Sequence, residues 1–197
     1  IFSILYNSTD NEIRSYAIDS ISTFSGSSRE AQSFFVNKKE FIQLFTREEL
    51  DEPPEILTAL LFCANNVMQI SEYLDDSNAF IFLNFALQFL QENDSEDLRQ
   101  AIQVISGGTK KGSEYTSFCL EKGIINQLFQ MMNKGLVSFK TQSLLFIAIC
   151  RFFEFADLEN AKLMFDMDFF NFIAEYLQMI SSDNEDAMIA ALNALEH

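Results

Sequence analysis

A small residue returns along this chain at a nearly constant interval: Ala17, Ala59, Ala101, Ser143 and Ala187, in steps of 42, 42, 42 and 44 residues. Its neighbours return with it. One place on stand Ile18, Leu60, Ile102, Leu144 and Met188, and four places on stand Ile21, Cys63, Ile105, Ile147 and Ala191. A second set keeps the same beat, 18 residues before each of the last four small residues: Phe41, Leu83, Ile125 and Phe169. Three places on from these are Leu44, Ala86, Leu128 and Phe172, and four places on are Phe45, Leu87, Phe129 and Ile173. Both sets keep the i, i+3, i+4 spacing of an amphipathic helix. A period of about 20–50 residues marks stacked supersecondary units, each too small to bury its apolar side alone. That pattern constrains the chain to an all-α solenoid.

The composition agrees. Apolar residues make up 48% of the 197, too many for a disordered segment. Phe occurs 22 times, Trp never and Val four times, and no long stretch alternates apolar with polar, so strands are not expected. The formal net charge of −16 excludes a phosphate-binding surface and an anionic membrane surface, both of which need clustered Lys and Arg. The longest apolar run, Leu144–Cys150, falls well short of the roughly 20 residues of a membrane span. No nucleic-acid and no membrane partner is expected. Cys63, Cys119 and Cys150 share no CxxC spacing and are read as buried, reduced thiols, which suits a cytoplasmic or nuclear protein.

Punctuation along the chain supplies the helix ends. Phe2 and Leu5 read as the end of a helix whose beginning is missing, so a fragment of a longer solenoid is expected, with weak self-association through its ends. Thr9 with Glu12, Ser27 with Glu30, and Ser182 with Glu185 form capping-box patterns. Pro53-Pro54 opens a long helix, Gly107-Gly108 stops one, and Gly123 and Gly135 bound another. The recurring order is a short helix, a medium helix and a long helix, in repeats of approximately 1–26, 27–70, 71–111, 112–156 and 157–197, with no domain boundary placed.

Three helices per repeat, a period near 42 and a long helix of the form Ala-apolar-x-x-apolar resemble armadillo repeats, with HEAT repeats as a two-helix relative. AIDSISTFSG, Ala17–Gly26, resembles the third-helix pattern of that family, and EKGIINQLFQMM, Glu121–Met132, its turn and second helix. The resemblance covers essentially the whole chain as about four and a half repeats. It implies a right-handed superhelix whose third helices line a concave face.

Helical geometry then separates core from groove. At about 100° per residue, the small position and offsets of one, four, seven and eight fall on one side, and offsets of two, six and nine on the other. In import-adaptor armadillo proteins the two- and six-offset places hold Trp and Asn that bind an extended basic peptide. Here the two-offset residues are Asp19, Leu61, Gln103, Leu145 and Ile189, and the six-offset residues are Thr23, Asn65, Gly107, Ile149 and Asn193. The Trp ladder is missing. The outward places, with Met68 and Phe152, are partly apolar, which suits a peptide or an amphipathic partner helix. Leu61, Asn65, Met68, Gln103, Leu145, Ile149, Phe152, Ile189 and Asn193 are therefore the candidate binding residues. Leu145, Ile149 and Phe152 are expected to stay exposed, and Leu144 and Ile147 to be buried.

Nothing in the sequence supports catalysis. The one histidine is His197, in a Leu195-Glu196-His197 ending that reads as the start of an expression tag, so no Cys–His or Ser–His pair forms. Asp166 with Asp168 and Glu48 with Glu49 sit at helix ends, where capping or solvation explains them. No metal or cofactor motif is present. The expected function is a non-catalytic protein-interaction scaffold with a concave, partly apolar groove. The alternatives are an import-adaptor-like receptor for basic peptides, or a regulatory domain of a larger enzyme or complex.

Overall fold

The structure, a computed structural model, describes every residue except 37, 47–51, 91–93, 136, 180–183 and 197. The described residues form thirteen α-helices joined by turns and short 3-10 segments, with no strand among them. They fall into two compact units: Ile1–Leu90 with Glu96–Gly108, and Gln91–Ser95 with Thr109–His197.

The first unit contains α1 (Phe2–Asn7), α2 (Asn11–Ser25), α3 (Arg29–Val36), α4 (Lys39–Ile42), α5 (Pro54–Met68), α6 (Asp76–Leu87) and α7 (Glu96–Gly107). The long helices α2, α5 and α7 lie side by side, and α6 packs on α7. The caps differ in detail from the sequence reading. Asp10, not Thr9, caps α2, its carboxylate accepting from the Glu12 and Ile13 N–H groups. Ser28, not Ser27, takes the Ala31 N–H at the start of α3. Either residue can satisfy orphan helix-start donors, and chain direction at the turn decides between them. Rings fill the core between the medium helices. Phe41 meets Phe45 at 5.2 Å, and Phe45 meets Phe82 at 4.7 Å and Phe85 at 5.2 Å. Edge-on ring pairs of this kind explain how so Phe-rich a chain packs without tryptophan.

The second unit contains α8 (Ser113–Glu121), α9 (Ile124–Lys134), α10 (Phe139–Glu154), α11 (Leu158–Asp166), α12 (Phe169–Met179) and α13 (Glu185–Glu196). Gly123 at φ 70° and Gly135 at φ 63° bound α9 in the left-handed region, where a side chain would be strained. Ser138 caps α10 by accepting from the Thr141 N–H, while Asp94 accepts from the Ser138 N–H at 2.9 Å. The Ser182–Glu185 capping box lies partly outside the described residues; Asn184 accepts from the Ala187 N–H at 3.4 Å instead.

The repeat holds, with one correction of phase. Ile56, Ala59, Leu60 and Cys63 form a buried quartet on α5, and Leu98, Ala101, Ile102 and Ile105 form its equivalent on α7. On α10 the same 0, 3, 4, 7 spacing falls on Leu145, Ala148, Ile149 and Phe152, and on α13 on Ala187, Ala190, Ala191 and Ala194, all buried. The structurally equivalent small residues are therefore Ala17, Ala59, Ala101, Ala148 and Ala190, whereas Ser143 is only half-buried. The third step is 47 residues, not 42, and the fourth is 42. The extra residues enter between a medium and a long helix. Phe41 to Ala59 and Leu83 to Ala101 are 18 apart, but the buried Ile125 and Ala148 are 23 apart. A connection absorbs such an insertion without disturbing the packing on either side.

Candidate functional site

The corrected phase decides which sequence candidates a ligand can reach. Leu145, Ile149 and Phe152 are each 0% exposed, as are Leu61 and Met68, while Leu144 and Ile147 are half-exposed. The expectation for α10 is thus reversed. The stripe read as groove is core, because α10 packs against α9, α11 and α13 and its apolar residues surround the whole helix. Asn65 and Gln103 are half-buried, and Ile189 and Asn193 are exposed.

In the first unit the structure brings Asn65 and Gln103 together. The Asn65 amide Nδ2 donates to Gln100 Oε1 at 2.8 Å and to Gln103 Oε1 at 2.9 Å, and Asn65 Oδ1 accepts from Gln69 Nε2 at 2.9 Å. Gln100 Nε2 donates to Glu96 Oε1 at 3.0 Å, and Thr58 Oγ1 donates to Asp97 Oδ1 at 2.9 Å. The result is a continuous polar strip along the seam of α5 and α7, ending in two carboxylates. Both donors of Asn65 are used, so its orientation is locked. Gln103 accepts from Asn65 and keeps its own amino group without a partner among the described residues.

Gln69, Gln100, Thr58 and the Glu96–Asp97 pair escaped the sequence reading. Their signal was present: Gln100 and Gln103, and Asn65 and Gln69, are amides three or four places apart on otherwise apolar helices. On the other side of α5, Asn66 Nδ2 donates to the Ser22 carbonyl at 3.1 Å and to Ser25 Oγ at 3.2 Å, tying α5 to α2. Near the starts of α2 and α5 a depression of about 320 Å³ is lined by Asn11, Glu12, Ser15, Tyr16, Pro53, Glu55 and Ile56. In the second unit Asn193 Nδ2 donates to Glu154 Oε1 at 3.3 Å, and Asn184 Nδ2 to Ser143 Oγ at 2.7 Å, linking α10 with the last turn of α13 and with the residue just before it.

The thiols are buried, as read from the sequence. Desolvation pushes the Cys63 thiol up to about 12, and burial likewise raises those of Cys119 and Cys150 well above the ordinary range. A thiol held protonated is a poor nucleophile. All three should resist a thiol-directed reagent at pH 8 in the native protein and react together once denatured; fast native labelling of any one would contradict its burial. Because the folded pKa values are raised, the unfolded chain loses its thiol protons first. Stability should therefore be complete below the usual thiol pKa and fall as pH climbs above it. Among the described residues no group of three or more His, Cys, Asp or Glu side chains could hold a metal, and no helix is long and apolar enough to cross a membrane.

No protein-family model matches the sequence, and no curated protein matches it. Solved structures do match. A designed armadillo repeat protein superposes with a TM-score of 0.70 at 12% identity, over 98% of this chain and 79% of its own. A computationally designed armadillo repeat protein for modular peptide recognition gives 0.71 at 14%, over 99% and 79%. A third, designed and solved in complex with the peptide (KR)4, gives 0.67 at 15%, again over 99% and 79%. At such identities the likeness is one of fold: the chain has an all-α armadillo-like repeat fold.

Proposed function

We propose that the protein is a non-catalytic scaffold that binds an extended peptide along its long helices. The observation that carries this reading is the amide strip on α5 and α7. An extended peptide exposes backbone N–H and C=O groups at regular intervals, and amides fixed along a helix seam can pair with them irrespective of side chains. Gln103 offers a free donor to a peptide carbonyl, and Asn65 holds it in place. A fold likeness to a designed protein solved in complex with a peptide supports the same reading. The apolar-groove version loses its α10 residues to the core; Ile189 remains exposed on α13.

A preference for basic peptides is a second reading, favoured by Glu96 and Asp97 at one end of the strip and by the net charge of −16. It lacks the Trp ladder of the import adaptors.

Fluorescence anisotropy with unstructured basic, neutral and acidic peptides tests both readings. Gln103→Glu keeps the acceptor for Asn65 but removes the free amino group. It should weaken a neutral peptide about tenfold, the loss of one hydrogen bond of about 1.4 kcal/mol. Basic peptides should bind more tightly than neutral ones, lose affinity with added salt, and weaken on Asp97→Asn. If no peptide class binds, or if Gln103→Glu leaves neutral-peptide affinity unchanged, the scaffold reading in this form fails.

A further inference from the structure

The internal repeat carries the polar strip of the first unit one helix further. Tyr16 on α2 stands 42 residues before Thr58 on α5, and Thr58 stands 42 before Gln100 on α7, the same step that relates Ala17, Ala59 and Ala101. Thr58 and Gln100 belong to the strip, so Tyr16 holds the corresponding helical place on α2. Glu12 likewise stands two such steps before Glu96, a carboxylate at the end of the strip. The Tyr16 ring is 64% exposed, and its hydroxyl donates to Glu12 Oε1 at 3.3 Å. Together with Ser15, Pro53, Glu55 and Ile56 these two residues line the depression of about 320 Å³ on the α2–α5 seam. Both helices of that seam belong to the same compact unit.

The walls select the sign of the ligand. Helix starts ordinarily draw anions through their first N–H groups. Here those of α2 are taken by the Asp10 carboxylate, which accepts from the Glu12 and Ile13 N–H groups at 2.9 and 3.3 Å, and α5 opens on Pro53-Pro54, which carry no N–H. Arg14 donates to the wall residue Asn11 at 3.4 Å, but its guanidinium is paired with Glu52, whose Oε2 accepts from it at 2.6 Å. Glu12 and Glu55 therefore leave the depression with net negative charge beside an open aromatic face. We propose, resting on the peptide-binding reading above, that this depression is the subsite for one arginine side chain of the bound peptide. The guanidinium stacks on the Tyr16 ring and donates to Glu12 and Glu55, while the methylene stem lies on Pro53 and Ile56. Arginine is preferred to lysine because a planar, weakly hydrated cation stacks on a ring and an ammonium does not. Neighbouring long helices lie about 8–10 Å apart and an extended chain rises about 3.4 Å per residue, so the arginine sits about three to six residues from the carbonyl that meets Gln103.

Backbone amide NMR titrations of the full chain with N-acetyl-arginine N-methylamide, and with its lysine and citrulline counterparts, test the subsite without a peptide and so without Gln103. Arginine should give saturable shifts at Ser15, Tyr16 and Glu55, and should bind about threefold tighter than lysine and about tenfold tighter than citrulline, which keeps the shape and lacks the charge. Tyr16→Ala and Glu55→Gln, both at exposed positions, should each weaken arginine about threefold with the thermal melt unchanged, and Tyr16→Phe should retain its affinity. In the anisotropy assay, an arginine moved stepwise along a neutral peptide should raise affinity only within that window of about three to six residues. Citrulline binding as tightly as arginine, shifts confined to other residues, or a response that Tyr16→Ala leaves intact overturns the subsite and leaves the amide strip standing on its own test. Equal binding of lysine overturns the assignment to arginine. Arginine seated at Tyr16 with neutral-peptide affinity unmoved by Gln103→Glu overturns the strip alone.

Discussion

Ile149→Asp should unfold the second unit. Ile149 is wholly buried on α10 beside Ala148 and between Leu145 and Phe152. A carboxylate placed there finds no cation in that quartet and loses its water, a penalty of several kcal/mol against a total domain stability of about 5–15 kcal/mol. Ile147→Asp, two residues away on the half-exposed side of the same helix, keeps its charge in contact with solvent and should cost about 1 kcal/mol. Circular dichroism melts of the two variants provide the comparison. Equal losses, or a larger loss for Ile147→Asp, would return the phase of α10 to the one first read from the 42-residue period.

Gly107→Ala should destabilise the first unit by about 2–3 kcal/mol, although alanine is the better helix former by about 1 kcal/mol. A Cβ at Gly107 would sit 2.8 Å from the Met68 carbonyl oxygen and 3.1 Å from its carbonyl carbon. Those are backbone atoms at the end of α5, so the clash cannot be relieved by a rotamer change. The Gly107 carbonyl is also held by the Ser71 hydroxyl, which donates to it at 2.6 Å, so α7 cannot slide away freely. Gly123→Ala provides the contrast. Nothing lies within 4 Å of the added carbon, and the cost is only that of a left-handed backbone, about 1–2 kcal/mol. Urea titrations of both variants should rank Gly107→Ala as the more damaging. A milder effect at Gly107 would mean that α5 and α7 separate more readily than their packing implies.

Much of the architecture is written in residue order. A small side chain followed by apolar ones at fixed offsets can be satisfied only by a helix that packs closely on two neighbours. Ala17, Ala59 and Ala101 are buried as that logic requires, and so are Phe41, Leu83, Ile125 and Phe169 on the medium helices. Helix limits followed from Pro53-Pro54, Gly123 and Gly135, because proline and glycine act locally and need no partner from elsewhere.

Tertiary structure decided the phase of α10 and the nature of the candidate site. SLLFIAICRFF presents apolar residues around its whole circumference, so periodicity alone could seat either Ser143 or Ala148 in the small position. Only the packing of α9, α11 and α13 around the helix selects Ala148 and sends Leu145, Ile149 and Phe152 inward. The amide strip was hidden for a similar reason. Asn65, Gln100 and Gln103 are 35 and 38 residues apart across the seam, and their hydrogen bonds exist only once α5 lies against α7. The short-range residue pattern determines which stretches are helical and how often they recur. Which side of an all-apolar helix meets its neighbours, and which distant amides meet each other, is settled by how the helices stack, because that choice depends on contacts between segments that no local pattern encodes.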